Sequence, residues 1–343
     1  MSHIQFIHTY DTITSIENLL LAWKEFILGK KNRKDVQEFE RNLMTNIILL
    51  HQDLVNKTYK HSQYEAFNIS DPKPRNIHKA KVRDRLLHHA ICRVLYLFFD
   101  RTFITDSYSC RVNKGTHKAI NRFRKFAYQA SKNHTKTVWV LKGDIKKFFA
   151  NINHNILKSI LKEHIQDKNI LWLLFQIVDS FYTQNSIYAI AEIKKGLPLG
   201  NLTSQLLVNI YMNEFDQFMK HKIKAKYYIR YADDFVILSS DKKWLINILP
   251  QIKDFLENEL KLSLHPTKLS ISTVASGVDF LGWVLFPDHR VVRTITKQRM
   301  FRGIKKKQGN FETVQSYLGL LSHGNARGLE WKVRNDSGFS SEI

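Results

Sequence analysis

Two spacings of hydrophobic residues alternate along the chain, and they predict different elements. Apolar residues at steps of three and four, as in Val36, Phe39 and Leu43, predict amphipathic helices. Short runs rich in aromatic and β-branched residues predict strands at residues 138–143, 227–231 and 235–238. Helical spacing covers residues 1–70, 86–99, 116–126, 151–185, 202–220 and 244–260. The pattern therefore predicts an α+β fold in which a few strands lie among many helices.

The N-terminal helical pattern ends at a proline-rich break, Asp71-Pro72-Lys73-Pro74. Because the residue before a proline avoids the helical conformation, the break predicts an extended segment after residue 70. The apolar face of the preceding helix is interpreted as core packing rather than as a partner surface. Further along, Thr116 is predicted to cap the next helix, which runs to residue 126.

Two adjacent carboxylates, Asp233 and Asp234, lie between the two strands predicted at 227–231 and 235–238. Strands this close predict a hairpin with the carboxylates at its tight turn. Two neighbouring anions at the tip of a sheet repel each other, and a divalent cation with a preference for hard oxygen ligands, such as Mg²⁺, relieves the repulsion. A solvated turn is the alternative for an isolated pair, since Asp is common in turns.

A third carboxylate, Asp144, ends the buried strand predicted at residues 138–143. By itself Asp144 is equally compatible with a plain helix cap. With the pair at Asp233 and Asp234, however, it has the layout of a two-metal site for phosphoryl transfer. In such a site one ion lowers the pKa of the attacking hydroxyl and the other stabilises the leaving group.

The amino-acid composition indicates which kinds of partner the protein can bind. The 343 residues carry 53 basic and 31 acidic side chains, a formal net charge of +22, which favours a polyanionic partner. No segment approaches the roughly 20 apolar residues of a membrane-spanning helix, and the first residues lack the pattern of a secretory signal. Two distant cysteines, Cys92 and Cys110, favour neither a zinc site nor a disulfide scaffold. We therefore expect a cytoplasmic protein with no membrane partner.

Five motifs, taken together and in this order, resemble those of a reverse transcriptase palm. They are Asp144–Phe149, Gly196–Gln205, Tyr231–Asp234, Leu264–Lys268 and Phe280–Trp283. The resemblance covers roughly residues 70–290 and is specific, because five separate motifs occur in the family's sequence order. It implies a right-hand polymerase of fingers, palm and thumb, with an antiparallel palm sheet, that copies RNA into DNA.

The resemblance also implies a domain layout and a catalytic site. The layout is an N-terminal helical extension at 1–70, fingers at 71–137, a palm with finger insertions at 138–287 and a basic, thumb-like helical tail at 288–343. Two Mg²⁺ ions are expected at Asp144, Ile145, Asp233 and Asp234. Lys268 matches the lysine that is proposed to protonate the departing pyrophosphate.

Five residues are implied to bind the incoming deoxynucleoside triphosphate. Arg75 and Lys73 are placed to clamp the triphosphate, with a solvated basic loop as the alternative. Phe149 is expected to pack against the sugar and to exclude a 2′-hydroxyl, whereas Phe148 is interpreted as core. Leu199 replaces a glutamine that is common in more faithful relatives, so checking of the base pair is expected to weaken, unless the change only affects packing. Gln205 is expected to orient the same loop.

A further group of residues is implied to hold nucleic acid. Arg111, Lys114 and Lys118 resemble the segment that lies along the template, where contacts to phosphates carry no sequence information. Gly282 belongs to the motif similar to the primer grip. The tail between residues 290 and 307 is predicted to form a basic helix that holds duplex or structured RNA, with a solvated face as the alternative. Its candidate contact residues are Lys305, Lys306 and Lys307.

Within the family, the nucleotide loop resembles that of diversity-generating retroelement enzymes. Pro198-Leu199-Gly200 and Ser204-Gln205 stand where many bacterial relatives have Pro-Gln-Gly and Ser-Pro. Ala232 departs from that group, in which methionine is more usual. The resemblance implies an error-prone enzyme of bacterial or phage origin that uses an RNA template, a DNA or RNA primer and an accessory protein or non-coding RNA. A phage-defence reverse transcriptase and, from another class, a polymerase-inactive RNA-binding protein of the maturase type are the alternatives.

Overall fold

A computed structural model describes residues 6–70, 74–183 and 194–336. The chain divides into two compact units, each assembled from separate stretches of sequence. The first unit comprises Met1–Thr105, Ile145–Lys222 and Lys253–Ser263. The second unit comprises Asp106–Asp144, Ile223–Ile252 and Leu264–Ile343. No helix in the described ranges is long and apolar enough to cross a membrane.

Most of the described residues are helical. Helices α1 to α14 span, in chain order, Tyr10–Thr14, Ile16–Phe26, Lys34–Arg41, Leu43–Val55, Val82–Thr102, Thr116–Ala130, Phe148–Asn151, His154–His164, Lys168–Asp179, Leu202–Gln217, Lys242–Asp254, Thr294–Lys306, Phe311–Leu321 and Arg327–Asp336. Wider π-helical turns follow α10 and α11, at Phe218–Lys222 and Phe255–Glu259, and a short 3₁₀ turn covers Pro266–Lys268. Asn153 and Asp167 cap α8 and α9, because each side chain accepts hydrogen bonds from two backbone N–H groups of the first turn.

The strands of the described ranges form three antiparallel sheets. Strands β1 to β9 span Glu65–Ile69, Arg75–Lys79, Trp139–Asp144, Tyr227–Tyr231, Asp234–Ser239, Ser270–Thr273, Val278–Phe280, Trp283–Leu285 and Arg290–Val292. A hairpin of β1 and β2 belongs to the first unit. In the second unit, a four-stranded sheet has the order β4-β5-β3-β6 and a three-stranded sheet has the order β7-β8-β9.

Each unit has its own hydrophobic core. In the first unit the long helix α5 packs against α2 and α10, with Leu86, Ile91 and Leu95 fully buried. In the second unit α6 packs against β4 and β5, and Phe123 and Val236 are buried between helix and sheet. The four-stranded sheet that positions the carboxylates packs into this second core.

The fold confirms the predicted α+β class with antiparallel sheets, while several local predictions are wrong. Residues 65–69, predicted to be helical, form β1 and pair with β2. Thr116 is the first residue of α6 and Gly115 precedes it as the cap, without a side-chain hydrogen bond. The basic tail begins as strand β9, because residues 290–292 pair with β8, and only then continues as α12. The helical pattern predicted over 151–185 ends early, because α9 ends at Asp179 and residues 180–183 are not helical, while residues 184–185 lie outside the described residues.

Candidate active site

The turn between β4 and β5 positions two of the three carboxylates. Strand β4 ends at Tyr231 and β5 begins at Asp234, so Ala232 and Asp233 form a two-residue turn. Ala232 adopts a left-handed conformation with φ of 54°, which disfavours residues other than glycine. Such strained positions cluster at functional sites. The predicted hairpin is confirmed, with Asp233 in the turn and Asp234 as the first residue of the next strand.

A buried arginine beneath the turn holds it in place, and sequence reasoning missed this residue. Arg230 is fully buried. Its guanidinium donates to the carbonyl of Ala232 at 3.1 Å and to Oγ of Ser107 at 3.2 Å, while its backbone N–H donates to the carbonyl of Asp106. A charge in an otherwise apolar strand is a signal that could have identified Arg230, since buried charges require partners.

The third carboxylate lies directly opposite the second. Asp144 ends β3 and pairs with Asp234 of β5 in the antiparallel register, where opposing Cβ atoms lie about 5 Å apart. Gly143, one residue earlier, pairs with Phe235. A Cβ atom at Gly143 would overlap the Phe235 ring, so the close approach of the strands at the site requires glycine.

Burial and mutual repulsion perturb the ionisation of this cluster. Burial, followed by the negative charges of Asp233 and Asp144, raises the pKa of Asp234 to about 6. The positive charges of Lys142 and Lys268 lower the pKa of Asp234, but by less than burial and the two carboxylates raise it. A raised carboxyl pKa means that the ionised form is electrostatically unfavourable, and a nearby cation would stabilise it.

Lys268 supplies part of that positive charge. Its Nζ donates to both carboxylate oxygens of Asp144, at 2.8 and 2.9 Å. The 3₁₀ turn that carries Lys268 is fixed to the same strand end, because the backbone N–H of His265 donates to the carbonyl of Asp144 at 2.7 Å. The sequence predicted that Lys268 and Asp144 belong to the site, but it did not predict the ion pair between them.

The donor set fits Mg²⁺. Carboxylate oxygens are the preferred ligands of this ion, which typically uses one or two protein carboxylates and completes its shell with water and substrate phosphates. Among the described residues, no three Asp, Glu, His or Cys side chains are already arranged around a common ion position. The residues that would hold the metal are Asp144, Asp233 and Asp234, with Ile145 beside them in sequence.

The raised pKa of Asp234 predicts a pH-dependent stability. The folded protein binds the Asp234 proton more tightly than the unfolded chain does. Protonation of Asp234 therefore stabilises the folded state fully below about pH 4, and this stabilisation is lost as the pH rises through about 6. Without metal, Asp234→Asn should therefore increase the free energy of unfolding by about 1–3 kcal/mol near pH 7.5 and change it little near pH 4. Urea denaturation in EDTA measures both values. Equal effects at the two pH values would contradict the electrostatic explanation.

The first unit contains the residues predicted to bind the nucleotide. Leu199 is half-buried, and its carbonyl accepts from the N–H of His78 at 3.1 Å, which ties the nucleotide loop to β2. Phe149 is also half-buried, and its carbonyl accepts from the N–H of Leu197 at 2.8 Å. Arg75 is exposed at the start of β2. Lys73 lies outside the described residues.

Gln205 lines a basic cavity of about 400 Å³ in the first unit. Lys30, Arg33 and Arg85 also line it, and Arg85 forms an ion pair with the carboxylate of Asp35. Burial and the charges of Arg33 and Arg85 lower the pKa of Lys30. Sequence reasoning missed this cluster, because its residues come from distant segments and only the fold brings them together.

The residues predicted to contact nucleic acid lie in the second unit. Arg111 donates to the carbonyl of Ser107 at 3.1 Å, and Lys118 donates to the carbonyl of Asn113 at 2.6 Å, so both are ordered around the start of α6. The ammonium group of Lys114 lies 5.1 Å from the ring centre of Tyr108. Further along, Gly282 has φ of 87°, and its carbonyl accepts from the N–H of Arg293. The three lysines at the end of α12, Lys305, Lys306 and Lys307, are exposed.

The sequence matches a known family over most of its length. The profile described as "Reverse transcriptase (RNA-dependent DNA polymerase)" matches residues 65–285. These residues include all three carboxylates and the nucleotide loop. The chain belongs to the reverse transcriptase family of RNA-directed DNA polymerases.

Curated relatives include bacterial and intron-encoded proteins. The chain is 26% identical over 289 residues to Protein YkfC of Escherichia coli, covering 74% of this chain and 70% of that protein. It is 25% identical over 292 residues to the group II intron-encoded protein LtrA of Lactococcus lactis subsp. cremoris, covering 66% of this chain and 46% of LtrA. The chain thus spans less than half of the LtrA relative.

Solved structures show the same fold in telomerase. Apo telomerase from Candida tropicalis, truncated from its C-terminal domain, superposes with a TM-score of 0.50 at 14% identity, over 73% of this chain and 60% of that one. Telomerase from Candida albicans in complex with a fragment of telomeric RNA gives 0.51 at 12% identity, over 68% and 46%. At this level of identity the likeness establishes the right-hand polymerase fold alone.

Proposed function

We propose that the protein synthesises DNA on an RNA template by two-metal nucleotidyl transfer. The observation that carries this proposal is the pairing of Asp144 with Asp234 across two strands, with Asp233 in the adjoining turn. Two Mg²⁺ ions bound there would lower the pKa of the primer hydroxyl and stabilise the leaving pyrophosphate. The ions would be held by the three carboxylates and by Ile145.

Lys268 has two roles in this proposal. Before substrate binds, its ammonium group neutralises Asp144 through the observed ion pair. After it leaves Asp144, the same group is a proton donor for the pyrophosphate oxygen. The 3₁₀ turn places the lysine within reach of the strand end, so the exchange needs only a side-chain rotation.

The proposed nucleotide site uses the first unit. Arg75 and Lys73 bind the triphosphate, Phe149 contacts the sugar, and Leu199 and Gln205 shape the loop beside the base pair. The basic cavity beside Gln205 gives the template an additional set of phosphate contacts. In the second unit, Arg111, Lys114 and Lys118 follow the template, Gly282 supports the primer, and Lys305, Lys306 and Lys307 hold the duplex. The division into extension, fingers, palm and thumb at residues 70, 137 and 287 belongs to this proposal.

The finer proposal is an error-prone enzyme of the diversity-generating type. Leu199 supports this proposal. Its apolar side chain cannot form a hydrogen bond, whereas more accurate relatives carry a side-chain amide at this position. A mispair differs from a correct pair by only a few kcal/mol, so losing one hydrogen bond of about 1 kcal/mol reduces discrimination severalfold. Misincorporation is expected to be most frequent opposite template adenine, as the family resemblance implies.

Leu199→Gln tests the origin of the errors. The substitution should lower the error rate by about fivefold, because it restores a hydrogen-bonding group worth about 1 kcal/mol. Leu199→Met is the matched control, since it conserves volume and stays apolar, and it should remain as inaccurate as the wild type. Sequencing DNA copied from one defined RNA measures all three proteins. A low error rate in the wild type would exclude the mutagenic role.

Two alternative roles share the same chemistry or the same fold. A phage-defence reverse transcriptase with a non-coding RNA would use the same carboxylates, and a low wild-type error rate would favour it. A polymerase-inactive, maturase-type protein would need the basic surfaces but not Asp144, Asp233 and Asp234. The relatives that include group II intron-encoded proteins keep this second alternative open to test. An accessory protein, an RNA or DNA primer and a cytoplasmic site of action remain proposals.

A further inference from the structure

A second cavity, separate from the carboxylates, lies in the second unit. It measures about 290 Å³ and is lined by α6, by the turn that connects β8 and β9, and by the turn between α13 and α14. Polar side chains dominate its lining: Asn121, Arg124, His289, Arg290, His323 and Asn325. We call it the Arg124 cavity. Of its lining residues, only Arg290 belongs to a segment that the sequence marks for nucleic-acid binding.

The walls of the Arg124 cavity are fixed by a network around Arg290. The guanidinium of Arg290 donates to the carbonyl of His323 in the α13–α14 turn and, at 2.9 Å, to Oδ1 of Asn121 on α6. The backbone carbonyl of Arg290 accepts from the N–H of Asn325 at 2.9 Å. A Cβ atom at Gly324 would overlap the Trp283 ring, so the turn approaches the sheet as closely as its glycine allows. The cavity is therefore a built feature with defined walls.

The positive charges of the cavity exceed its negative charges. Arg124 forms no hydrogen bond or ion pair with any residue in the described ranges. The carboxylate that lines the cavity, Asp288, is exposed and already paired with His289 at 2.8 Å. Burial and the charge of Arg124 lower the pKa of Arg290. Within the described part of the chain, the guanidinium groups of Arg124 and Arg290 thus line one cavity without a shared counter-ion, an arrangement that an anion would stabilise.

Two imidazole rings, those of His117 and His323, lie together at the edge of the cavity, close to its positive charges. The ring of His117 lies 3.8 Å from the ring of His323, centre to centre, at an angle of 32°. Burial, His323 and Arg290 together lower the pKa of His117. The Nδ1 atom of His117 is buried without a hydrogen-bond partner among the described residues. Protonation of the His117 ring is therefore disfavoured until a negative charge arrives.

We infer that the Arg124 cavity binds a phosphate group of a nucleic acid backbone. Arg124 and His323 are the primary ligands, Asn325 is a neutral donor, and Arg290 is a positioning residue whose own donors are used in the walls. A guanidinium suits the oxygens of a phosphate, because it presents parallel N–H donors. The phosphate chemistry follows from the cavity itself, whereas the choice of nucleic acid over a free phosphate rests on the proposed function.

Histidine NMR tests the chemistry without depending on DNA synthesis. The side-chain ¹⁵N signals of His117 and His323, assigned through His117→Gln and His323→Gln, would be followed during titration with pyrophosphate at constant ionic strength. Both signals should shift as the anion binds, and that of His117 should move towards the protonated form. Arg124→Gln should weaken the apparent affinity at least about fivefold. Lys125→Gln, which removes the same charge from the adjacent, exposed residue of α6, should leave the affinity unchanged.

RNA–DNA duplex binding identifies the source of the phosphate. If the cavity holds a backbone phosphate, Arg124→Gln should reduce the slope of log affinity against log salt by about one phosphate contact, a change of roughly 0.7–0.9, and Lys125→Gln should not. A pyrophosphate response with an unchanged duplex slope would assign the site to a free phosphate. The inference is wrong if Arg124→Gln and Lys125→Gln are indistinguishable in both titrations, whether or not the protein makes DNA.

Discussion

Asp144→Ala and Asp233→Ala should each reduce DNA synthesis at least about 1,000-fold while RNA binding persists. Metal ions stabilise the transition state by several kcal/mol, and each 1.4 kcal/mol corresponds to a factor of ten in rate. Asp144 and Asp233 lie at the shared end of β3, β4 and β5, so losing either carboxylate removes ligands for the proposed ions. Single-turnover primer extension measures the rate, and filter binding measures the RNA affinity.

The control for this prediction is Glu257→Ala. Glu257 is exposed in the π-helical turn after α11 and belongs to the other unit, so its removal changes the net charge equally without affecting the carboxylate cluster. Its synthesis rate should match that of the wild type. If Asp144→Ala or Asp233→Ala extends primers at a rate comparable to Glu257→Ala, the catalytic site lies elsewhere.

Phe149→Val should increase ribonucleotide incorporation, relative to deoxynucleotide, by about 10- to 100-fold. The proposed role of this half-buried ring is to occupy the space of a 2′-hydroxyl, and relieving such an overlap recovers about 1–3 kcal/mol. Competition between the two nucleotides in one primer-extension reaction gives the ratio directly. The ratio does not depend on how much of the variant is folded.

Phe148→Val is the matched control for Phe149→Val. The Phe148 ring is buried and packs edge-on against Phe149, with ring centres 5.5 Å apart. Truncating it should lower stability by creating a cavity but leave sugar selection intact. The steric role of Phe149 is excluded if its variant discriminates as well as Phe148→Val.

Local sequence patterns were sufficient to predict the hairpin and the strand that carry the carboxylates. The aromatic and β-branched runs around Asp233 and Asp234 specify strands, and the short gap that these runs leave at residues 232–234 specifies a turn. The resemblance then linked Asp144 to this pair over 88 intervening positions, which periodicity alone cannot do. The register that places Asp144 opposite Asp234 depends on how β3 enters the sheet and became visible only in the fold.

Features that depend on tertiary contacts could not be predicted from the sequence. The ion pair of Lys268 with Asp144 joins residues far apart in sequence, and nothing local distinguishes Lys268 from a surface lysine. The sequence places Arg230 in an ordinary strand, and only the fold shows that it is fully buried and donates to the carbonyl of Ala232 in the turn. The strand at residues 65–69 was missed because its apolar content also fits a helix, and only pairing with β2 decides between them.

RNA-templated DNA synthesis by the purified wild-type protein tests the central proposal most directly. With an annealed primer, Mg²⁺ and the four deoxynucleoside triphosphates, the account predicts a DNA product that is complementary to the RNA and is lost with EDTA or with Asp233→Ala. RNA binding measured on the same preparation shows that the protein is folded and competent. Tight RNA binding without any metal-dependent DNA product would contradict the account and favour the maturase-type alternative.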